Sequence, residues 1–171
     1  TQSLETLAHT DFLTGLLNRR GMLTRLTEER NRLSRQTQSG PLFAVLLIDL
    51  DHFKSVNDAH VHAAGDTVLI EIANRLRASL RDEDLVVRWG GEEFLALMPA
   101  SPLDDAHATA ERIRAAIEQT PLDVGQAPIA LTMSFGVAQV HNADDLQATI
   151  ARADKALYQS KNAGRNRVSV A

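Results

Sequence analysis

Apolar and polar positions follow two rhythms along this chain. Leu42 to Ile48 is apolar and rich in β-formers, which predicts a buried central strand. Leu85-Val86-Val87 and Phe94 to Met98 are shorter apolar runs on either side of Gly90-Gly91, which predicts a β-hairpin with the glycines at its tip. Ile129 to Val140 alternates as a strand through Leu131, Met133, Phe135 and Val137. Helical spacing is expected from about Arg19 to Ser34, from Val68 to Leu80 after Gly65, from Asp104 to Gln119 between Pro102 and Pro121, and from Asp144 to Lys161. The first of these ends in a loop from Gln36 to Pro41, and Gly164 stops the last before a short strand at Arg167 to Val170. Strand, helix, hairpin, helix, strand predicts an α+β, ferredoxin-like domain whose mostly antiparallel central sheet is flanked by helices. Leu4 and Leu7, three apart within Thr1 to His9, read either as the last turns of a longer helix or as a frayed end.

Carboxylates gather where the predicted strands stop. Asp49-Leu50-Asp51 closes the apolar run, and acids at the end of a buried strand belong at a site mouth rather than in a core. An isolated Asp-x-Asp is more often a turn or a cap, and that suits Asp58 or Asp66, but Asp49 still lies in strand pattern. In Gly90-Gly91-Glu92-Glu93-Phe94, two residues without side chains precede two acids. Glycines there can take the positive φ of a tight hairpin turn, and they leave backbone bare for an anionic ligand. The segment is either an ordinary hairpin with solvated acids or a cradle in which Asp49 and Glu92 or Glu93 hold one hard cation against phosphates.

Composition narrows the classes. A chain of 171 residues with 44% hydrophobic positions and a net charge of −4 suits one soluble domain with a substantial core. The negative balance argues against nonspecific nucleic-acid binding and requires an anionic substrate to be met locally. With no cysteine, disulfides and thiolate zinc sites are excluded, in keeping with a cytoplasmic location. No apolar run reaches membrane-spanning length, and no signal-peptide core opens the chain.

Five ordered segments then bear on function. Asp11-Phe12-Leu13-Thr14-Gly15-Leu16-Leu17-Asn18-Arg19-Arg20, Asp49 to Asp58, Gly65-Asp66, Arg88-Trp89-Gly90-Gly91-Glu92-Glu93-Phe94, and Ala153 to Tyr158 with Lys161 and Gly164-Arg165-Asn166-Arg167-Val168 together resemble the signature of the GGDEF family, the diguanylate cyclases, in its GGEEF variant. The resemblance runs from about Asp11 to Val170. It implies a palm-type nucleotide cyclase core over 11–171, with 1–10 as the end of a helical linker from an upstream regulatory domain.

The resemblance also implies a site. Asp49, the Leu50 carbonyl and Glu92 match ligands of catalytic Mg²⁺, with Mn²⁺ as an alternative. Glu93 matches a second acid required for turnover. Asn57 and Asp66 match the guanine readers, and an amide beside a carboxylate suits that base edge. Leu16 would flank the base, His62 and Lys54 would lie near the nucleotide, Gly90 and Gly91 would admit it, and Lys161 and Arg165 would reach phosphates. The implied reaction condenses two GTP into cyclic di-GMP and two pyrophosphates across a second copy of the chain, with Glu92 or Glu93 as proton acceptor. Arg81 and Asp84, by their spacing to Gly90, match an inhibitory product site, with Arg112 as a secondary contact; outside that context an Arg-x-x-Asp is a surface ion pair.

Departures from the family pattern are His60 and Val61 before His62, where an aromatic and a glycine are usual, and His52, where an aromatic is frequent. His60 and His62 have no third zinc ligand nearby. The alternative function is a catalytically silent domain that binds GTP or cyclic di-GMP; another nucleotidyl transferase on the same core would need a basic template surface.

Overall fold

The computed structural model describes residues 8–34, 41–59, 64–125, 127–141 and 146–171. In chain order the elements are α1 (Arg19–Ser34), β1 (Pro41–Leu50), α2 (Phe53–Ala59), α3 (Ala64–Ser79), β2 (Leu85–Arg88), β3 (Glu93–Pro99), α4 (Leu103–Gln119), β4 (Met133–His141), α5 (Leu146–Asn162) and β5 (Val168–Val170). The sheet runs β2-β3-β1-β4-β5, so the apolar run of β1 is its centre. All pairings are antiparallel except β4 with β5, which is parallel. This is the α+β arrangement expected from the pattern.

β1 reads as continuously apolar because helices cover both faces of the sheet. Ala44, Leu46 and Ile48 pack with Ile72 and Leu76 of α3 and Ile113 of α4. Phe43, Val45 and Leu47 pack on the other face with Met22 and Leu26 of α1 and Leu157 of α5. α1 opens where expected because Asn18 Oδ1 accepts the Gly21 N–H at 2.8 Å, an N-cap written into the Leu-Asn-Arg motif. α5 lies so close to β4 that a methyl at Gly136 would overlap the Ala153 carbonyl. Ser160 ties the end of α5 down, donating to the Phe135 carbonyl at 2.8 Å and accepting from the Ser169 hydroxyl at 2.7 Å. That contact fixes Lys161, the next residue, above the end of β1.

Several expectations need correction. α3 begins at Ala64, four residues before the expected start, so Asp66 lies in its first turn, where a carboxylate suits the helix dipole. α2 was not anticipated: seven residues are too few for a helical period to show. β4 begins only at Met133; Ile129 instead forms an isolated bridge with Leu122, exchanging backbone bonds of 2.8 and 2.9 Å. The loop 36–40, the expected helix start at Asp144, residues 1–7, and His60, Val61 and His62 lie outside the described residues.

Candidate active site

Register brings the acids together. Asp49 stands opposite Glu93 on β3 and Ser134 on β4, so the carboxylates of Asp49 and Glu93 emerge on one face of neighbouring strands. The Leu50 N–H reaches the Glu92 carbonyl at 3.4 Å, which joins the end of β1 to the signature loop. Lys161 Nζ forms an ion pair with Asp49 Oδ2, and the Asp49 side chain is only 7% exposed. Asp49 Oδ1 is buried without a hydrogen-bond partner. A cleft at this point is lined by Asp49, Leu50, Lys54, Glu92, Lys161 and Arg165.

Electrostatics mark the cluster as unfinished. Burial pushes the Asp49 carboxyl above the usual range, and Asp51 adds to that while Lys161 opposes it. Glu92 and Glu93 are also raised, first by burial and then by the charge of Asp49, with Lys161 again opposing. Like charges are thus held together with one lysine among them. Among the described residues no group of three or more His, Cys, Asp or Glu side chains stands ready-made as a metal site. The donor set still fits a hard cation: the orphaned oxygen of Asp49 could meet such an ion at no cost to an existing bond, and Leu50 and Glu92 line the same cleft.

The two glycines of the signature need a different account from the one their sequence suggests. Neither Gly90 nor Gly91 has positive φ; among the described residues the glycines that do are Gly15, Gly125 and Gly164. The loop between Arg88 and Glu93 is long enough to turn without left-handed residues. A Cβ at Gly90 would meet only Glu93, at 3.6 Å, and one at Gly91 would meet nothing within 4 Å. Neither backbone strain nor a protein neighbour requires glycine at Gly91, and the space beside it is open.

The remaining candidates separate into groups. Asn57 on α2 packs directly on Gly65, where a Cβ would overlap its amide oxygen, and the exposed Asp66 follows in the first turn of α3. Arg165 does not continue the Lys161 helix. α5 ends at Asn162, and Arg165 returns to the cleft through a left-handed turn with φ +65°. Leu16 is 2% exposed within the core, and it lines a different cavity of about 370 Å³ with Arg25, Arg77, Arg81 and Asp84. There Arg81 closes on Asp84: the Arg81 N–H and guanidinium donate to its carboxylate at 2.8 and 3.0 Å, and the guanidinium also reaches Ser101 Oγ at 2.9 Å. Hydrogen bonding to Asp84 raises the Arg81 pKa further. Arg112 donates to the Ser79 carbonyl at 2.8 Å, at the end of α3.

Sequence reasoning passed over Arg88. Its guanidinium donates to Asp11 Oδ1 at 3.2 Å and to the Gly91 carbonyl at 2.8 Å, joining the signature loop to the turn at 11–16. That turn is closed by Asp11, which accepts from the Thr14 N–H and hydroxyl at 2.9 and 2.7 Å. The signal was an Asp-x-x-Thr turn and an arginine flanking the glycines, which no local pattern connects.

A family model described as "Diguanylate cyclase, GGDEF domain" matches residues 8–167. The chain therefore belongs to the GGDEF domain family. It is 42% identical over 164 residues to the diguanylate cyclase DgcP of Pseudomonas aeruginosa, covering 96% of this chain and 24% of that protein. Among solved structures it resembles diguanylate cyclase SiaD of Pseudomonas aeruginosa, in complex with its activator SiaC, at a TM-score of 0.86 and 41% identity, over 98% of this chain and 64% of that one. The coiled coil and GGDEF domain of DgcB from Caulobacter crescentus, in complex with c-di-GMP, superposes at a TM-score of 0.87 and 30% identity, over 98% of this chain and 88% of that one. The chain thus spans a minority of the length of a curated relative it matches. No described helix is long and apolar enough to cross a membrane.

Proposed function

We propose that this domain is a diguanylate cyclase: two GTP give cyclic di-GMP and two pyrophosphates. The observation that carries the reading is the cluster of Asp49, Glu92 and Glu93, with an orphaned carboxylate oxygen, beneath Lys161 and Arg165 and beside the open space at Gly91. A family whose solved members include a complex with c-di-GMP supports the same product.

In this reading Asp49, the Leu50 carbonyl and Glu92 would hold Mg²⁺, or Mn²⁺ in its place. The cation would neutralise charge on the triphosphate as pyrophosphate leaves. Lys161 and Arg165 would take phosphate oxygens. The 3′-hydroxyl of a GTP on a second copy of the chain attacks the α-phosphorus, and the bond to the bridging oxygen of the β-phosphate breaks. Glu93 or Glu92 accepts the hydroxyl proton. A second transfer in the opposite sense closes the ring. Asn57 and Asp66, on adjacent helices, read the guanine edge, and Lys54 lines the neighbouring cleft, whereas Leu16, buried on the Arg81–Asp84 cavity, is not placed beside that base. Product control belongs to Arg81, Asp84 and Arg112, and an upstream or bound regulator sets how often two copies meet.

The test is product identification by mass spectrometry after incubating a leucine-zipper fusion of the chain with GTP and Mg²⁺. Cyclic di-GMP is expected, with none from Glu93→Gln. Since a monomer holds half of the reaction, specific activity of the unfused chain should rise with its concentration. Absence of cyclic dinucleotide from the fusion would overturn the reading in favour of a silent binding domain.

A further inference from the structure

Gly164, Arg165 and Asn166 take φ of +121°, +65° and +47°, a run in the left-handed region that includes two residues with side chains. Such a run persists only where its surroundings impose it. Part of the hold comes from the end of α5, where the Arg165 N–H reaches the Ser160 carbonyl at 3.0 Å. The rest falls on Asn166. Its N–H donates to Asp51 Oδ2 at 3.0 Å and to Ser134 Oγ at 3.2 Å. Its side-chain oxygen accepts from Arg114 of α4 at 2.9 Å, and its amide N–H₂ donates to Glu118.

Asp51 is built as an anchor. It is 5% exposed, and its carboxylate also accepts the Thr132 and Ser134 hydroxyls, each at 2.7 Å. Its own N–H donates to the Thr132 carbonyl at 2.9 Å. With its oxygens occupied, Asp51 is not competing for the ligand that the orphaned oxygen of Asp49 invites. The second acid of the Asp-x-Asp therefore has a different task from the first.

We infer that Asp51 and Asn166 are positioning residues that clamp the left-handed turn between β1 and α4 and so aim the Arg165 guanidinium into the cleft toward the phosphates of a bound nucleotide. The inference rests on the reading of the cleft as a triphosphate site. Arg165 is exposed and lines that cleft beside Lys161, and its direction is set by the backbone on either side. Without the clamp, Arg165 keeps its charge but loses its aim, and a mobile guanidinium gives up most of its bond to a phosphate.

The test is a double-mutant cycle on GTP binding, followed by calorimetry with Mg²⁺ present, in a Glu93→Gln parent so that turnover does not consume the ligand. Arg165→Ala should weaken binding about tenfold, the scale of one charge-assisted bond, and Asn166→Ala roughly threefold to tenfold. The double variant should be no weaker than Arg165→Ala alone, because Asn166 acts through Arg165. Asp51→Ala should reproduce Asn166→Ala, and Asp51→Asn should restore affinity, since an amide oxygen still accepts the Asn166 N–H. Unchanged affinity in Asn166→Ala, or effects that multiply in the double variant, would overturn the clamp while the GTP site stands; a lowered Tm with full affinity would show a purely structural role. Tripolyphosphate is the second probe. If the parent binds it but not GTP, the guanine-nucleotide reading fails and the same cycle still decides the clamp. If it binds neither, both fail.

Discussion

Asp84 and Asp49 are both nearly inaccessible, with side chains 1% and 7% exposed, yet their surroundings are opposite. Asp84 sits in a turn that closes on itself, taking the Arg81 N–H and guanidinium, while its own N–H returns to the Arg81 carbonyl at 3.0 Å. Asp49 has one lysine, one orphaned oxygen, and two neighbouring glutamates whose protonation it favours. A buried polar atom left unpaired costs about 1–3 kcal/mol, so the fold carries that penalty at one carboxylate and avoids it at the other. The first arrangement stabilises the chain as it stands. The second leaves an oxygen unpaired and like charges adjacent, and that difference separates a self-satisfied turn from a candidate site.

The sharpest way to break this comparison is to remove charge from the unfinished cluster. Glu92→Gln and Asp49→Asn should each lower cyclic di-GMP formation by about 10²-fold or more, the scale seen when a preorganised electrostatic group is removed. Stability should move the other way in Glu92→Gln. A carboxyl whose folded pKa is raised contributes stability that is present below its unfolded pKa and lost as pH rises through the folded value. At pH 7.5 without divalent cation, Glu92→Gln should therefore melt slightly higher than the parent. Addition of Mg²⁺ should raise the parent's Tm more than the variant's. A variant that is both inactive and less stable would place Glu92 among the structural acids.

Base choice is the next largest effect. GTP should be preferred to ATP by roughly 10²-fold in kcat/KM, because adenine leaves Asp66 and Asn57 facing mismatched groups, at about 1–3 kcal/mol each. Asp66→Ala should erode that preference while leaving the fold intact, as Asp66 is exposed. Gly65→Ala tests the same pocket from behind, since its methyl displaces the Asn57 amide. Unchanged selectivity in both variants would place base recognition elsewhere.

How much of this was legible in the sequence depends on distance along the chain. The strands and long helices follow from local periodicity, and the acids at strand ends were visible because a carboxylate directly after Leu-Leu-Ile has no place in a core. The convergence of Asp49 on Glu93 required only that β1 and β3 be neighbours. Gly90 and Gly91 were read for the wrong property: two glycines between strands resemble a two-residue turn, and the length of the loop that removes that need is a tertiary fact. The stop at Gly164 was legible, but the left-handed turn that brings Arg165 back to the cleft beside Lys161 is a tertiary fact. Asp51 with Asn166, and Asp11 with Arg88, pair across 115 and 77 positions, and nothing in a local window couples residues so far apart.

On the satisfied side of the comparison, Asp84→Asn should cost roughly 1–3 kcal/mol, because the amide turns a donor toward the Arg81 N–H and guanidinium. Arg81→Ala should cost less stability, as its side chain is half-exposed. Its more informative readout is product binding: cyclic di-GMP should bind the Arg81→Ala variant more weakly at a site apart from the cleft, and inhibition should be relieved with little change in initial rate. Unchanged inhibition would leave the pair as the self-closing turn that the geometry describes.

The smallest effect belongs to Asp11. Burial alone would raise its pKa, but the Thr14 hydroxyl and N–H and the Arg88 charge together outweigh burial and hold it below the usual carboxylate value. A depressed folded pKa gives stability that is present above the unfolded value near ~3.9 and is lost as pH falls through the folded one. Asp11→Asn should thus lower Tm slightly at neutral pH, by the equivalent of about 1 kcal/mol, and the difference from the parent should vanish in acid. Glu92→Gln should differ from the parent most in alkali and least in acid, because its carboxyl is shifted the other way. Arg88 links the two behaviours: it neutralises Asp11 and holds the Gly91 carbonyl of the signature loop. Arg88→Lys keeps the charge but cannot span both acceptors with one planar group. It should retain most of the stability conferred by Asp11 and still lower turnover. Equal losses in Tm and turnover for Arg88→Lys and Arg88→Ala would show that charge alone matters there, and that the signature loop is held by its own strands.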